Sequence, residues 1–227
     1  MPTDAEYEAA LAEVESFAED FSLQTERSED IETEDGDTTT QILLEEDNTV
    51  VIVVGEPEAR YFPVVYPFNL VGAIAEQIDE SEIRRDLDDT TPDDTDGEDE
   101  SAEPQEDPCS RLASQLLAEA DDDTLDSFAR AVRIVTSTPQ TDPEVFSGDE
   151  FRFAGFYLTG AIYPYEPDFG FGSLCDCVQA VMNVGRRGQN YVQSVVGVHH
   201  PDETESGQYE LSLSVDPIPG RTRQESP

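Results

Sequence analysis

Three β-rich runs follow one another between Thr38 and Tyr66: Thr38 to Glu45, Thr49 to Gly55 and Ala59 to Tyr66. Two hairpin-like joints, Glu46-Asp47-Asn48 and Gly55-Glu56-Pro57-Glu58, leave room only for antiparallel returns, so a meander is expected here. Pro63 lacks an amide donor, which predicts that the third strand lies at a sheet edge or carries a bulge. The middle run contains the longest apolar stretch, Val50-Val51-Ile52-Val53-Val54, far short of the roughly 20 residues that span a bilayer.

Helical patterns flank the meander. From Ala5 to Asp20 the residues Tyr7, Leu11, Val14, Phe17 and Ala18 recur at helical spacing, with Thr3 or Asp4 as cap. Ser22 to Asp37 is mostly polar and reads as loop, with at most a short strand at Phe21 to Thr25. A second helix is expected from Phe68 to Arg85, carried by Leu70, Val71, Ile74, Ala75, Ile78 and Ile83. Residues 86–107 are almost wholly Asp, Glu, Ser, Thr, Pro and Gly, a composition that cannot build a core and reads as an acidic linker. Beyond it, Cys109 to Ala120 and Thr124 to Val135 read as helices, capped by Asp107 or Ser110 and by Asp123. Thr136 to Gly148 reads as loop, Phe151 to Tyr163 as strand and Gly172 to Val184 as helix. Tyr191 to His199 and Gln208 to Val215 read as closing strands, before a flexible tail at 217–227.

The expected class is therefore α+β, with antiparallel sheets covered by helices. Residues 1–85 and 108–216 form either two similar units or one sheet interrupted by the linker. Similarity of the halves rests on Tyr66-Pro67-Phe68 and Tyr163-Pro164-Tyr165, each leading to a helix that ends in an arginine pair, Arg84-Arg85 and Arg186-Arg187.

Charge constrains function more than fold. The 227 residues hold 53 acidic and 12 basic side chains, a net −41, and every basic one is arginine. Such a chain repels nucleic acid and anionic lipid, so neither is expected as a partner. Without lysine, Schiff-base chemistry and a phosphate-cradling Walker motif are excluded. Self-repulsion on this scale is tolerable only where salt shortens the Debye length to about 3 Å, as it does near 1 M. The composition resembles that of salt-in cytoplasmic proteins of halophilic archaea and their viruses. With no leader-like start, the chain is expected to be cytoplasmic, and Cys109, Cys175 and Cys177 to be reduced thiols.

Few residues stand out as chemistry. Cys175 and Cys177 are weak metal candidates with His199 and His200, the only histidines. Two positions apart on a helix, the thiols point about 200° from each other, so no metal or other cofactor is assigned. Glu166 and Asp168 are the least random carboxylate pair, and no catalytic residue is assigned. Tyr163, Tyr165, Phe169 and Phe171 crowd nine residues and offer an aromatic contact surface or a cover for the sheet edge. Arg186 and Arg187 offer forked donors to a partner's carboxylates.

The order helix, three-strand meander, helix in the first half is similar to the start of the small fold of type III secretion chaperones. That resemblance implies binding of another protein or self-association. The expected function is a non-catalytic protein-binding or chaperone-like module. The alternatives are a virus-encoded or structural assembly protein and, after it, a small enzyme using the carboxylate pair or a Cys/His metal site.

Overall fold

A computed structural model of the chain describes residues 2–32, 38–46, 49–78, 107–146, 153–201, 204 and 208–214. The elements are α1 (Asp4–Asp20), β1 (Gln24–Glu32), β2 (Thr38–Glu46), β3 (Thr49–Gly55), β4 (Phe62–Asn69), α2 (Leu70–Ala75), α3 (Pro108–Ala118), α4 (Asp122–Thr136), β5 (Asp142–Phe146), β6 (Gly155–Ile162), α5 (Phe171–Val195), β7 (Val196–His199) and β8 (Glu210–Leu213). This is the α+β class expected from the sequence. Two compact units gather these elements. One holds Met1–Phe68, Val132–Phe146 and Gly155–Tyr191; the other holds Asn69–Ala131, Ser147–Ala154 and Val192–Pro227. Apart from Asp107, residues 86–107 lie outside the described residues, as do Arg84, Arg85 and 217–227.

The first unit is built on a six-stranded sheet ordered β1-β2-β3-β4-β6-β5. One sheet therefore takes strands from both sides of the acidic stretch. Pairing is antiparallel from β1 through β4 and between β5 and β6. Pro63 does not mark an edge: β4 lies between β3 and β6. Its ladder with β3 runs over Ile52↔Val65 and Val53↔Val64, between Pro63 and Pro67, so the missing amides fall outside the bonded register. Part of the polar segment read as loop is strand β1, which pairs with β2 from Gln24↔Glu45 to Glu32↔Thr38, and Arg27 on it holds three carboxylates. Its guanidinium lies 2.8 Å from Glu8, 2.9 Å from Glu29 and 3.5 Å from Glu15, and these contacts raise its pKa.

One face of this sheet carries α1 and α5. Thr3 caps α1 in a capping box: the Glu6 amide donates to Thr3 Oγ1 and the Thr3 amide to Glu6 Oε2. Tyr7, Leu11, Val14 and Ala18 are buried, and the Tyr7 hydroxyl donates to the Gly55 carbonyl at 3.0 Å. Helix α5 runs through Tyr191, where a strand was expected, and reaches Val195. Gly185 lets it approach the sheet closely, since a Cβ there would sit 2.6 Å from the Tyr66 ring. Tyr66 and Phe68 lie beside Phe156, with ring centroids 6.3 and 4.9 Å away. The loop expected over Thr136 to Gly148 contains β5, whose residues pair with β6 from Asp142↔Thr159 to Phe146↔Gly155.

The second unit packs α2 and α3 with the β7–β8 hairpin. Asn69 caps α2, and the expected long helix from Phe68 is helical only to Ala75 within the described residues. Asp107 caps α3, as expected, accepting from the Ser110 amide at 3.0 Å. For α4 it is Asp121 rather than Asp123 that accepts from the Thr124 amide, at 2.9 Å. Phe128 and Phe153 meet edge to face at 5.1 Å among buried Leu116, Leu117 and Leu125. The Tyr-Pro likeness between the halves has no structural counterpart: Tyr66-Pro67-Phe68 lies within β4, whereas Tyr163-Pro164-Tyr165 is a turn.

Candidate functional site

The aromatic segment after β6 folds back onto the first unit and divides. Tyr163 stands beside Tyr61 with ring centroids 6.0 Å apart, and both are exposed. Tyr165 meets Phe62 edge-on at 5.9 Å. Its hydroxyl is enclosed, and loss of water chiefly raises its pKa, with Tyr7 and Glu6 acting in the same sense. Phe169 packs edge-on against Phe17, and Phe171 stacks on Phe21 at 4.6 Å with ring planes 11° apart. Tyr165 thus covers Phe62 of β4, whereas Phe169 and Phe171 lie against the end of α1, and Phe171 stays 45% exposed.

A narrow apolar cleft of about 50 Å³ opens nearby. The last turn of α1, strand β2 and the first half of α5 form its walls, with Phe17, Phe21, Leu44, Leu174, Val178 and Met182 among the lining side chains. On α5 the lining positions 174, 175, 178, 179 and 182 follow one helical face. Arg186 continues that face. Its Nε donates to Thr49 Oγ1 at 3.0 Å and its Nη2 to Glu46 Oε2 at 3.0 Å, and Glu46 also lines the cleft. Arg186 thus braces the strand wall from within α5 rather than ending a helix. Arg187 is exposed on the same helix.

The two thiols have different surroundings. Cys175 is half-buried and lines the cleft. The Cys177 sulfur packs toward Gly160 of β6, and burial pushes its thiol up to about 11, partly opposed by a hydrogen bond with the Ala161 backbone. His199 lies on β7 with Nε2 3.0 Å from Ser212 Oγ, and the His200 ring lies 5.3 Å from Tyr209. Among the described residues no three His, Cys, Asp or Glu side chains gather to hold a metal. Glu166 and Asp168 are exposed beside a separate notch of about 90 Å³ that Tyr163 and Ser173 also line.

Sequence reasoning missed the cleft because its walls come from distant segments. Phe21 and Leu23 fell in a short strand expected at the start of a polar loop. Phe21 follows Phe17 by four residues, however, and so prolongs the apolar stripe of α1 past its last helical residue.

One solved structure similar to this chain is that of an uncharacterized protein from Methanothermobacter thermautotrophicus, with a TM-score of 0.51 and 7% identity. The match covers 82% of this chain and 97% of that one, and at such identity the likeness concerns fold alone. No family model and no curated protein matches the sequence.

Proposed function

We propose that the protein is a non-catalytic binding module that takes an apolar side chain of another protein at the cleft beside Phe171. The observation that carries this reading is the Phe171 ring, 45% exposed yet stacked on Phe21 at the cleft's α1 wall. An aromatic ring held by stacking presents contact area at low cost in side-chain entropy, the property of binding hot spots.

Charge suggests the rest of the partner. Helix α1 ends with Glu19 and Asp20 and no basic residue in its last turn, so two acids stand at the negative end of its dipole. A partner whose apolar anchor is flanked by arginine or lysine relieves that repulsion. The test is recovery of partners from cell lysate in molar KCl by the intact chain and by Phe171→Asp. A stoichiometric basic partner held by the intact chain and lost by the variant is expected; identical recovery by both overturns the reading.

A further inference from the structure

The opposite face of the six-stranded sheet has the anatomy of a protein interface. Strand pairing aligns Leu43 with Ile52 and Ile52 with Val65, so these three form a row across β2, β3 and β4 on the side away from Ile42, Val53 and Val64. All three are half-buried, whereas Ile42, Val53 and Val64 are fully buried under the helices. Tyr157 extends the face on β6 and is 39% exposed, stacked on Phe146 at 4.7 Å. Both α1 and α5 make their sheet contacts on the other side, at Gly55, Tyr66 and Gly160.

Charge on this face is arranged from rim to centre. Across β2, β3, β4 and β6, Glu45 is the one acidic side chain facing this way, in a chain where 53 of 227 residues are acidic. The acids stand on the outer strands instead, Glu26 on β1 and Asp142 and Glu144 on β5. An apolar centre containing tyrosine and a charged, wettable rim is the composition of a specific interface.

We infer that this face binds the same face of a second copy of the chain. Six strands about 4.8 Å apart and seven residues of about 3.3 Å each span roughly 650 Å² of plane. Side-chain relief brings that to the order of the ~800 Å² per partner that a stable interface of standard size buries. A twisted sheet is matched best by another of the same twist, packed about 10 Å away at about −30°, and a second copy supplies that surface. A basic partner would gain from acids at the centre of the face, but the central row Leu43, Ile52 and Val65 has none, and Glu45 stands near the end of β2. A like-charged copy is repelled everywhere except across an uncharged centre, and its rim acids stay in solvent, where molar salt screens them.

The test is the mass of the full chain in molar KCl, by sedimentation equilibrium from low to high micromolar concentration. Twice the 25.1 kDa of one chain is expected, unchanged by Phe171→Asp. Ile52→Glu buries a charge at the centre, and Tyr157→Arg puts one at a position the fold already exposes. Each should weaken dimerisation by about tenfold or more with far-ultraviolet circular dichroism unchanged. Tyr157→Arg decides the matter where Ile52→Glu does not fold. A monomer at every concentration, a dimer unaffected by folded Tyr157→Arg, or a dimer abolished by Phe171→Asp overturns the inference.

Discussion

The two faces of the six-stranded sheet are made by the same strands, residue by residue in alternation, and differ in what fills them. Under α1 and α5 the packing is close and aromatic: Phe62, Tyr66, Phe68 and Phe156 lie with glycines that let helix and sheet approach. The other face carries medium-sized side chains, Leu43, Val50, Ile52, Val54 and Val65, all half-buried. A strand such as Thr49-Val-Val-Ile-Val-Val-Gly55 is apolar on both sides, which is what a strand covered on both faces needs. Both faces are thus apolar, but only the one under α1 and α5 is closely packed.

Two neighbours in β6 face opposite sides of the sheet and should differ most on substitution. Phe156 is fully buried on the helix-covered side; Phe156→Ala should cost about 4 kcal/mol of stability. Tyr157→Ala, one residue on, should cost the fold of a single chain no more than about 1 kcal/mol. Urea unfolding in molar KCl measures both. Any additional loss in Tyr157→Ala should fade on dilution, because an interface between copies stabilises by mass action. Equal costs for the two substitutions would mean that both faces are packed alike.

Glycine substitutions probe the same contrast at smaller cost. At Gly185 a methyl group would meet the Tyr66 ring, so Gly185→Ala should destabilise by about 2 kcal/mol even though alanine is the better helix former. A methyl group at Gly170 would meet nothing within 4 Å, and Gly170→Ala should change the unfolding midpoint little. If the two cost the same, close approach of α5 is not what Gly185 provides.

Legibility of these features in the sequence followed the range of the interactions. The meander was readable because strands β2 and β3 and their hairpin are local, and α1 because its cap and apolar stripe are. The neighbourhood of β4 and β6 was not: Pro63 pointed to an edge or a bulge, and only the distant β6 supplies the neighbour that makes β4 an inner strand. Tyr191 to Val195 looked like strand because β-branched and aromatic residues dominate it, yet the helix begun at Phe171 continues through it. Phe171 and Arg186 were legible as unusual residues. Their relation was not, since Phe171 reaches α1 and Arg186 reaches β2 and β3.

Alkaline titration reads the covered face alone. Burial raises the Tyr66 phenol from 10 to about 12, partly opposed by Arg186, and the Cys177 thiol from 9 to about 11. Both groups keep their protons in the folded chain at pH values where the unfolded chain has lost them. Their contribution to stability is therefore complete below about pH 9 and falls as pH rises through the window up to about 12. Thermal melts at fixed salt should show the midpoint dropping across that window. Tyr66→Phe should flatten the upper part of the drop and Cys177→Ala the lower part; unchanged profiles in both would show that these groups are wetter than the packed face requires.

The smallest effect is expected at the edge of the covered face, where Arg186 meets Glu46 and Thr49. Both charged partners are substantially exposed, with relative exposures of 36% and 48%, so Arg186→Gln should cost less than about 1 kcal/mol. Concentrated salt should shrink that cost further, because the Debye length falls below the separation at which exposed charges feel each other. Apolar burial at Phe156 should behave oppositely, since salting-out ions strengthen it. Measuring both substitutions by urea unfolding at two potassium sulfate concentrations separates the terms: the Arg186 cost falls with salt while the Phe156 cost holds or rises. A salt-independent Arg186→Gln would mean that its hydrogen bond to Thr49, rather than its charge, braces the wall of the cleft.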